Sequence, residues 1–186
     1  MKSKNITAVS LFVAAISICS FMAVPLPYGG YITMQTFGIF LSLLMLGGVK
    51  GSLAIFVYLL LGAAGAPVFA GFRGGLSCFL EAGGGFLLGF LLIGFAYILF
   101  EKLSGGRTWG RIVGLVFGLL LCYSLGTVFF VHLYMQNGNP IGFIGALLIT
   151  VVPYIVPDAI KLYLAYFLWR RLKKTAFFKA FNAQKG

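Results

Sequence analysis

Long apolar runs with very few charged residues recur along this chain from residue 6 to residue 172. Only 9% of the residues are charged, 61% are hydrophobic, and the mean hydropathy is +1.04. A water-soluble domain is about one quarter charged, so this chain lacks the polar residues needed to cover a water-facing surface. The lipid bilayer must therefore be its main solvent, and the sequence predicts an integral membrane protein.

Six apolar segments fit helices that cross a bilayer, which takes roughly 17–25 residues each. A further apolar segment near 141–152 is too short to cross, so we expect a short extra helix there. It ends at Pro153, and Pro157 suits the first turn of the last span. The prediction is an all-α fold with one membrane domain over residues 1–186. Its six spans lie near residues 6–24, 33–48, 50–65, 84–102, 109–135 and 157–172.

Lysine and arginine predict how these spans are oriented. The chain has 14 basic and 3 acidic residues, a net charge of +11. Cytoplasmic connections are enriched in basic residues, and six spans put most of them on one side, with Arg73 on the other and Lys161 inside the membrane. Both termini are therefore predicted to be cytoplasmic. The shared side holds Lys2, Lys4, Lys50, Lys102, Arg107, Arg111, Arg170, Arg171, Lys173, Lys174, Lys179 and Lys185.

The positive charge also raises the possibility of a nucleic-acid partner, but orientation in a membrane explains it better. We therefore expect a multi-pass protein of the cytoplasmic membrane with no nucleic-acid partner. Its three cysteines are scattered without a CxxC pair, and His132 has no acid or cysteine nearby, so we expect no metal site and no catalytic residues. No GxxxxGK[ST] phosphate loop occurs, so this chain is not expected to hydrolyse ATP or to carry a cofactor.

Asp158 and Lys161 form an acid–base pair inside an otherwise apolar run. Positions i and i+3 share one face of a helix, so the two side chains can meet. A charge at the membrane centre costs about 3 kcal/mol or more, and such residues usually mark function. One interpretation is a structural ion pair whose lysine reaches toward water. The other is a polar clamp for a ligand with both an N–H and a carbonyl, such as a cyclic urea or an amide.

Three more polar residues stand near the predicted outer side. Gln35, followed by Thr36, begins an apolar span, where its amide could pair with a neighbouring helix or contact a solute. Arg73 and Glu81 lie on the Gly-rich connection between the third and fourth spans. Both could simply be solvated, but an arginine at the mouth of a pocket is also the natural partner of a ligand carboxylate.

Small residues recur every four positions in the first span, at Ala15, Cys19 and Ala23, and again at Ser10 and Ala14. Small side chains flatten one face of a helix and let another backbone approach closely. That face packs either against the helices of this chain or against a second membrane subunit. We retain Ala15, Cys19 and Ala23 as candidate partner-docking residues.

Four motifs resemble those of the biotin-specific S components of energy-coupling-factor (ECF) vitamin transporters. They read ITMQTFG at 32–38, YLLLGAAGAPVFAGFRGG at 58–75, GGFLLGF at 84–90 and PYIVPDAIKLYLA at 153–165. The resemblance extends from the first span to about Leu164. It departs at 81–86, which reads EAGGGF where the family usually has Gly-Pro-Thr-Gly-Gly-Tyr.

The resemblance implies a membrane subunit that captures biotin outside the cell. It also implies three partner subunits, namely a transmembrane coupling subunit and two cytoplasmic ATPase subunits that use the ATP. Asp158 would accept a hydrogen bond from a ureido N–H of biotin, and Lys161 would donate one to the ureido oxygen. Two alternatives stay open: an S component for another vitamin and a stand-alone secondary carrier. The full set of expected ligand-binding residues is Asp158, Lys161, Gln35, Arg73, Phe69, Gly84, Gly85 and Tyr154.

Overall fold

The computed structural model describes residues 3–25, 31–136 and 142–174, and almost all of its regular structure is helical. The predicted connections near 25–32 and 136–140 lie largely outside these residues, as does the basic tail after Lys174. The described elements are α1 Ser3–Phe21, β1 Ala23–Pro25, β2 Tyr31–Thr33, α2 Gln35–Leu46, α3 Gly48–Ala63, α4 Ser77–Leu80, α5 Gly84–Leu103, α6 Thr108–Gln136, α7 Phe143–Thr150 and α8 Val152–Leu172.

Helix α2 occupies the centre of the bundle and packs against α1, α3 and α8. Helix α3 also packs on α5, which runs along α6 over most of its length. The buried core between these helices is aliphatic and aromatic. Its fully buried members include Ile16, Ile39, Phe40, Leu43, Ile55, Ile93 and Leu115.

The first span ends earlier than predicted. Helix α1 stops at Phe21, and Ala23 belongs to a short antiparallel hairpin in which it pairs with Thr33. A residue that precedes proline is driven toward extended backbone, so Pro25 favours a strand at Val24 over another helical turn. The prediction of a helical Ala23 was therefore wrong, and the hairpin adds two short strands to the predicted all-α fold.

The last span begins earlier than predicted. Helix α8 starts at Val152 with Pro153 in its first turn, where a missing N–H costs nothing, and Pro157 lies inside the helix. The short extra helix is confirmed as α7, eight residues long, with its axis bent by 43° from that of α8. Asp158 consequently lies in the second turn of α8.

Two described helices, α5 and α6, are long and apolar enough to cross a membrane, and the bent pair of α7 and α8 makes a third candidate. The apolar helices over Asn5–Phe21, Gln35–Leu46 and Gly48–Ala63 are shorter. Helices α2 and α3 are separated by a single residue, Gly47, whose φ of 81° suits glycine. This tight reversal confirms the turn predicted between the second and third spans.

Candidate ligand-binding cavity

A cavity of about 220 Å³ lies among α2, α5, α6, α8 and the connection between α3 and α5. One wall carries buried polar side chains, whereas aromatic and aliphatic side chains form the other walls. Six of the eight expected ligand-binding residues line it, all except Gly84 and Gly85. The six are Asp158, Lys161, Gln35, Arg73, Phe69 and Tyr154.

Asp158 is the centre of the polar wall. Its Oδ1 atom accepts hydrogen bonds from Lys161 Nζ at 2.7 Å and from Thr36 Oγ1 at 2.8 Å. Its Oδ2 atom accepts one from the Tyr123 hydroxyl at 2.6 Å. The donors come from α8, α2 and α6, so packing of three helices determines where this carboxylate lies.

Both charges of the pair are buried, with Asp158 2% and Lys161 4% exposed. A buried ion pair needs further hydrogen bonds to offset its lost hydration, and Thr36 and Tyr123 supply them to the acid. Each carboxylate oxygen has about two acceptor positions and an ammonium has three N–H donors. With the recorded bonds made, Oδ2 can accept one more N–H, and Lys161 can still donate to a ligand oxygen.

Gln35 is buried on the same side of the cavity and anchors the chain beyond α3. Its Nε2 atom donates to the Tyr58 hydroxyl at 2.7 Å, and that hydroxyl donates to the Val68 carbonyl at 3.1 Å. Among the described residues, the Oε1 atom accepts one long hydrogen bond, of 3.5 Å, from Thr33 Oγ1. Gln35 therefore both lines the cavity and, through Tyr58, positions the segment that carries Phe69.

Phe69 presents a buried aromatic ring to the cavity. The ring packs on Gly62, where any side-chain carbon would overlap it, and meets the rings of Tyr58 and Phe79 edge-on. Its backbone exchanges two hydrogen bonds with Arg73, of 2.9 and 3.3 Å. This tight loop fixes Phe69 and Arg73 relative to each other.

Arg73 and Glu81 form an ion pair on the cavity wall, in which Arg73 Nη2 donates to Glu81 Oε1. Their side chains are 40% and 46% exposed, so solvent reaches both. The hydrogen bond that the Arg73 guanidinium donates to Glu81 raises the pKa of Arg73 above its ordinary value. Tyr154 is half-buried on the first turn of α8, one turn before Asp158.

Gly84 and Gly85 do not line the cavity, which corrects their expected place in the site. A side-chain carbon on Gly84 would overlap the Phe79 backbone, and one on Gly85 would press against Phe129 and Gly126 of α6. These glycines let α5 approach its neighbours. The preceding residue, Gly83, lines the cavity instead.

The expected docking stripe on α1 is divided by the fold. Ala23 is in β1, as described above, and Cys19 packs against Gly38 of α2, so it does not face away from the bundle. Ala15 is half-buried. The exposed small residues of α1 include Ser10 and Ala14.

The expected site omitted Tyr123 and Tyr58, and it noted Thr36 without including it. Thr36 adjoins Gln35 at the start of a predicted span, so the sequence already indicated that it could belong to the site. The two tyrosines carry no such signal, because 9 tyrosines occur in the chain and only tertiary contacts distinguish these two. Among the residues described, no group of three histidine, cysteine or acidic side chains is close enough to hold a metal ion.

Comparison with known proteins identifies the family. The family model described as "BioY family" matches residues 1–177. A probable biotin transporter BioY from Pyrococcus horikoshii is 36% identical over 176 residues, covering 93% of this chain and 98% of the relative. The biotin transporter BioY of Thermotoga maritima is 35% identical over 171 residues, covering 92% and 96%.

Solved structures agree with this assignment. The crystal structure of the S component for biotin from an ECF-type ABC transporter superposes with a TM-score of 0.79 at 28% identity, covering 94% of this chain and 93% of that one. A second S component of a bacterial ECF transporter gives a TM-score of 0.53 at 16% identity, covering 92% and 96%, and supports the fold alone. Because the family model matches residues 1–177, nearly the whole chain, this chain belongs to the BioY family.

Proposed function

We propose that this membrane protein binds biotin in the cavity around Asp158 and takes part in biotin uptake as the S component of an ECF transporter. The names of the curated relatives and the solved S component for biotin support this function. The family is one of transporter subunits, and the chain is not an enzyme. This agrees with the absence of a plausible nucleophile–base pair from the sequence.

The observation that carries the proposal is the arrangement of Asp158 and Lys161 on the cavity wall. Biotin contains a cyclic urea, with two N–H donors and one carbonyl acceptor. The free acceptor position of Asp158 Oδ2 suits a ureido N–H, and the remaining donors of Lys161 suit the ureido oxygen. Both hydrogen bonds are charge-assisted and lie away from bulk water, which strengthens them.

The remaining cavity residues are assigned to the rest of the ligand. Phe69 and Tyr154 offer aromatic surface to the fused rings, and Gln35 offers amide groups beside them. Arg73, on the solvent-accessible part of the wall, is assigned to the carboxylate of the ligand's side chain. In this assignment Gly84 and Gly85 support the site through helix packing.

The membrane arrangement that we propose has six spans in one domain, with both termini on the cytoplasmic side of the cytoplasmic membrane. Helices α5, α6 and the bent pair α7–α8 support three spans by their length. Helix α2, at 12 residues, reaches only about 18 Å of a hydrocarbon core about 30 Å thick. Its span therefore includes non-helical backbone such as β2, which is tolerated at membrane depth where it lines a cavity.

We further propose the partners expected from the resemblance. A transmembrane coupling subunit would dock on this chain, and two cytoplasmic ATPase subunits would use the ATP, so this chain needs no cofactor of its own. No nucleic-acid partner is proposed. The exposed small residues Ser10 and Ala14 make α1 suitable for close approach of another membrane helix.

Isothermal titration of the purified protein with biotin and a panel of other vitamins tests this function. We expect tight binding of biotin and little binding of the others. Preferential binding of another vitamin would reassign the substrate within the same architecture. Uptake into liposomes with and without the coupling and ATPase subunits then separates an S component from a stand-alone secondary carrier. Only a carrier would accumulate biotin when those subunits are absent.

A further inference from the structure

Arg73, the residue assigned to the ligand's carboxylate, is already paired with a carboxylate of the protein itself. Arg73 donates to Glu81 within the chain, and both residues line the cavity. Backbone hydrogen bonds hold both in place. Arg73 is paired with Phe69, and the Glu81 carbonyl accepts from Gly84 N at 2.8 Å at the start of α5.

Few other charged side chains line the cavity near Arg73 and Glu81. Of the described residues that line the cavity, the cations are Arg73 and Lys161 and the acids are Glu81 and Asp158. Lys161 is already paired with Asp158 on the buried wall. Its remaining donors are assigned to the ureido oxygen of the ligand. The cation left for a ligand carboxylate is therefore Arg73, where the carboxylate meets Glu81.

We propose that Glu81 is a specificity-determining residue, an internal counter-ion that competes with the ligand's carboxylate for Arg73. The inference rests on the proposed function, since it takes a biotin-like carboxylate as the competitor. While Glu81 holds the guanidinium, an incoming carboxylate gains little, because it must displace Glu81 or share Arg73 with a like charge. The natural chain therefore distinguishes biotin only weakly from its neutral carboxamide.

The first test compares dissociation constants for biotin and biotin carboxamide in four forms: the natural chain, Glu81→Gln, Arg73→Gln and the double variant. The readout is the ratio of the carboxamide constant to the biotin constant. An exposed ion pair is worth little, so we expect this ratio to rise by roughly threefold to fivefold in Glu81→Gln. In the Arg73→Gln background the same substitution should raise the ratio less, since the contested cation is gone and only the like-charge repulsion by Glu81 is removed.

The second test needs no ligand. Phenylglyoxal reacts with the neutral form of a guanidine, and pairing with Glu81 raises the pKa of Arg73, which keeps it charged. The modification rate at Arg73, followed by mass spectrometry, should therefore increase in Glu81→Gln. Exposed Arg107, at the opposite end of α5, provides an internal control whose rate should not change.

The two readouts separate the possible outcomes. A higher carboxylate preference together with faster Arg73 modification supports the counter-ion. An unchanged ratio in Glu81→Gln, or an unchanged modification rate at Arg73, overturns it. If neither the natural chain nor Glu81→Gln binds biotin while Arg73 reacts faster in Glu81→Gln, the ion pair stands and the proposed function fails.

Discussion

The Asp158 carboxylate accepts hydrogen bonds from side chains on three helices, including the lysine one turn along its own helix. An unpaired charge in such a place would be strongly unfavourable, so each donor has a structural role before any ligand arrives. The site is therefore preorganised. Binding of a cyclic urea would add to a network that already exists, without first assembling it.

Two substitutions test this pair at the residue scale. Asp158→Asn and Lys161→Ala should each weaken biotin binding by about 1.5–3 kcal/mol, because each removes a hydrogen bond to a charged group. Isothermal titration of the purified variants measures the loss. Ser124→Ala is the control, since Ser124 is an exposed residue of α6 bonded to its own helix at Leu120 O. Unchanged affinity in both site variants would restore the structural interpretation of the pair.

A third substitution tests the packing behind Phe69. In Gly62→Ala the added methyl group overlaps the Phe69 ring, which must shift toward the cavity. We expect a loss of about 1–3 kcal/mol in stability, the usual cost of overpacking, together with weaker biotin binding. Thermal unfolding and titration measure the two effects.

Gly142→Ala is the matched control for that packing experiment. A side-chain carbon there meets no atom within 4 Å, and its φ of −66° suits any residue. Its effect on both measurements should be small. Equal behaviour of the two alanine variants would show that Phe69 can move without affecting the site.

At the scale of single elements, helix α1 has two faces with different roles. The face with Val9, Val13 and Ile16 is buried in the bundle. The opposite face exposes Ser10 and Ala14 together with larger apolar side chains. A docking surface on α1 is therefore expected around Ser10 and Ala14, the second pair of small residues with four-residue spacing, and not around Ala15, Cys19 and Ala23.

Tryptophan at adjacent positions separates these faces. Ala14→Trp should block co-purification with the coupling subunit but leave biotin binding intact, because the bulky ring prevents close helix approach. Ala15→Trp, at a half-buried position, should instead reduce the thermal stability of the isolated protein. Full co-purification of the Ala14 variant would show that this face contacts lipid only.

Apolar runs between charged turns predicted some elements closely and others poorly. The spans expected at 84–102 and 109–135 appear as Gly84–Leu103 and Thr108–Gln136. Hydropathy could not predict the end of α1, because Ala23 is equally apolar in a helix or a strand. Its strand conformation depends on pairing with Thr33, a contact between separate segments.

The site residues also divide into those that the sequence could predict and those that it could not. Asp158 and Lys161 could be predicted because a helical period puts them together within one segment. Tyr123 lies 35 positions from Asp158 on a different helix, and only the tertiary fold brings its hydroxyl to the carboxylate. The Gly-Gly pair at 84–85 was assigned to the ligand because packing glycines and site glycines look alike in a sequence.

At the scale of the whole molecule, two exposed leucines mark opposite ends of the bundle. Leu80 is 72% exposed at the end of α4, and Leu103 is 74% exposed at the far end of α5. Lys102, Arg107 and Arg111 lie near Leu103, so the proposed topology, which rests on the positive-inside rule, puts that end in the cytoplasm.

A membrane-impermeant thiol reagent tests this orientation in intact cells. With Cys19, Cys78 and Cys122 replaced by alanine, Leu80→Cys should react and Leu103→Cys should not. After the membrane is dissolved in detergent, both should react, which confirms that each thiol is accessible. Labelling of Leu103→Cys alone in intact cells would reverse the proposed topology.

The two ion pairs of the cavity, Asp158 with Lys161 and Arg73 with Glu81, each sum to zero charge. An ionised biotin carboxylate therefore gives the loaded cavity one net negative charge, whereas the empty cavity has none. Carrying one negative charge inward through a potential of 100 mV, negative inside, takes about 2.3 kcal/mol of electrical work. Membrane voltage thus opposes the loaded step and leaves the return of the empty protein unaffected, and the proposed ATPase partners must supply this electrical work as well.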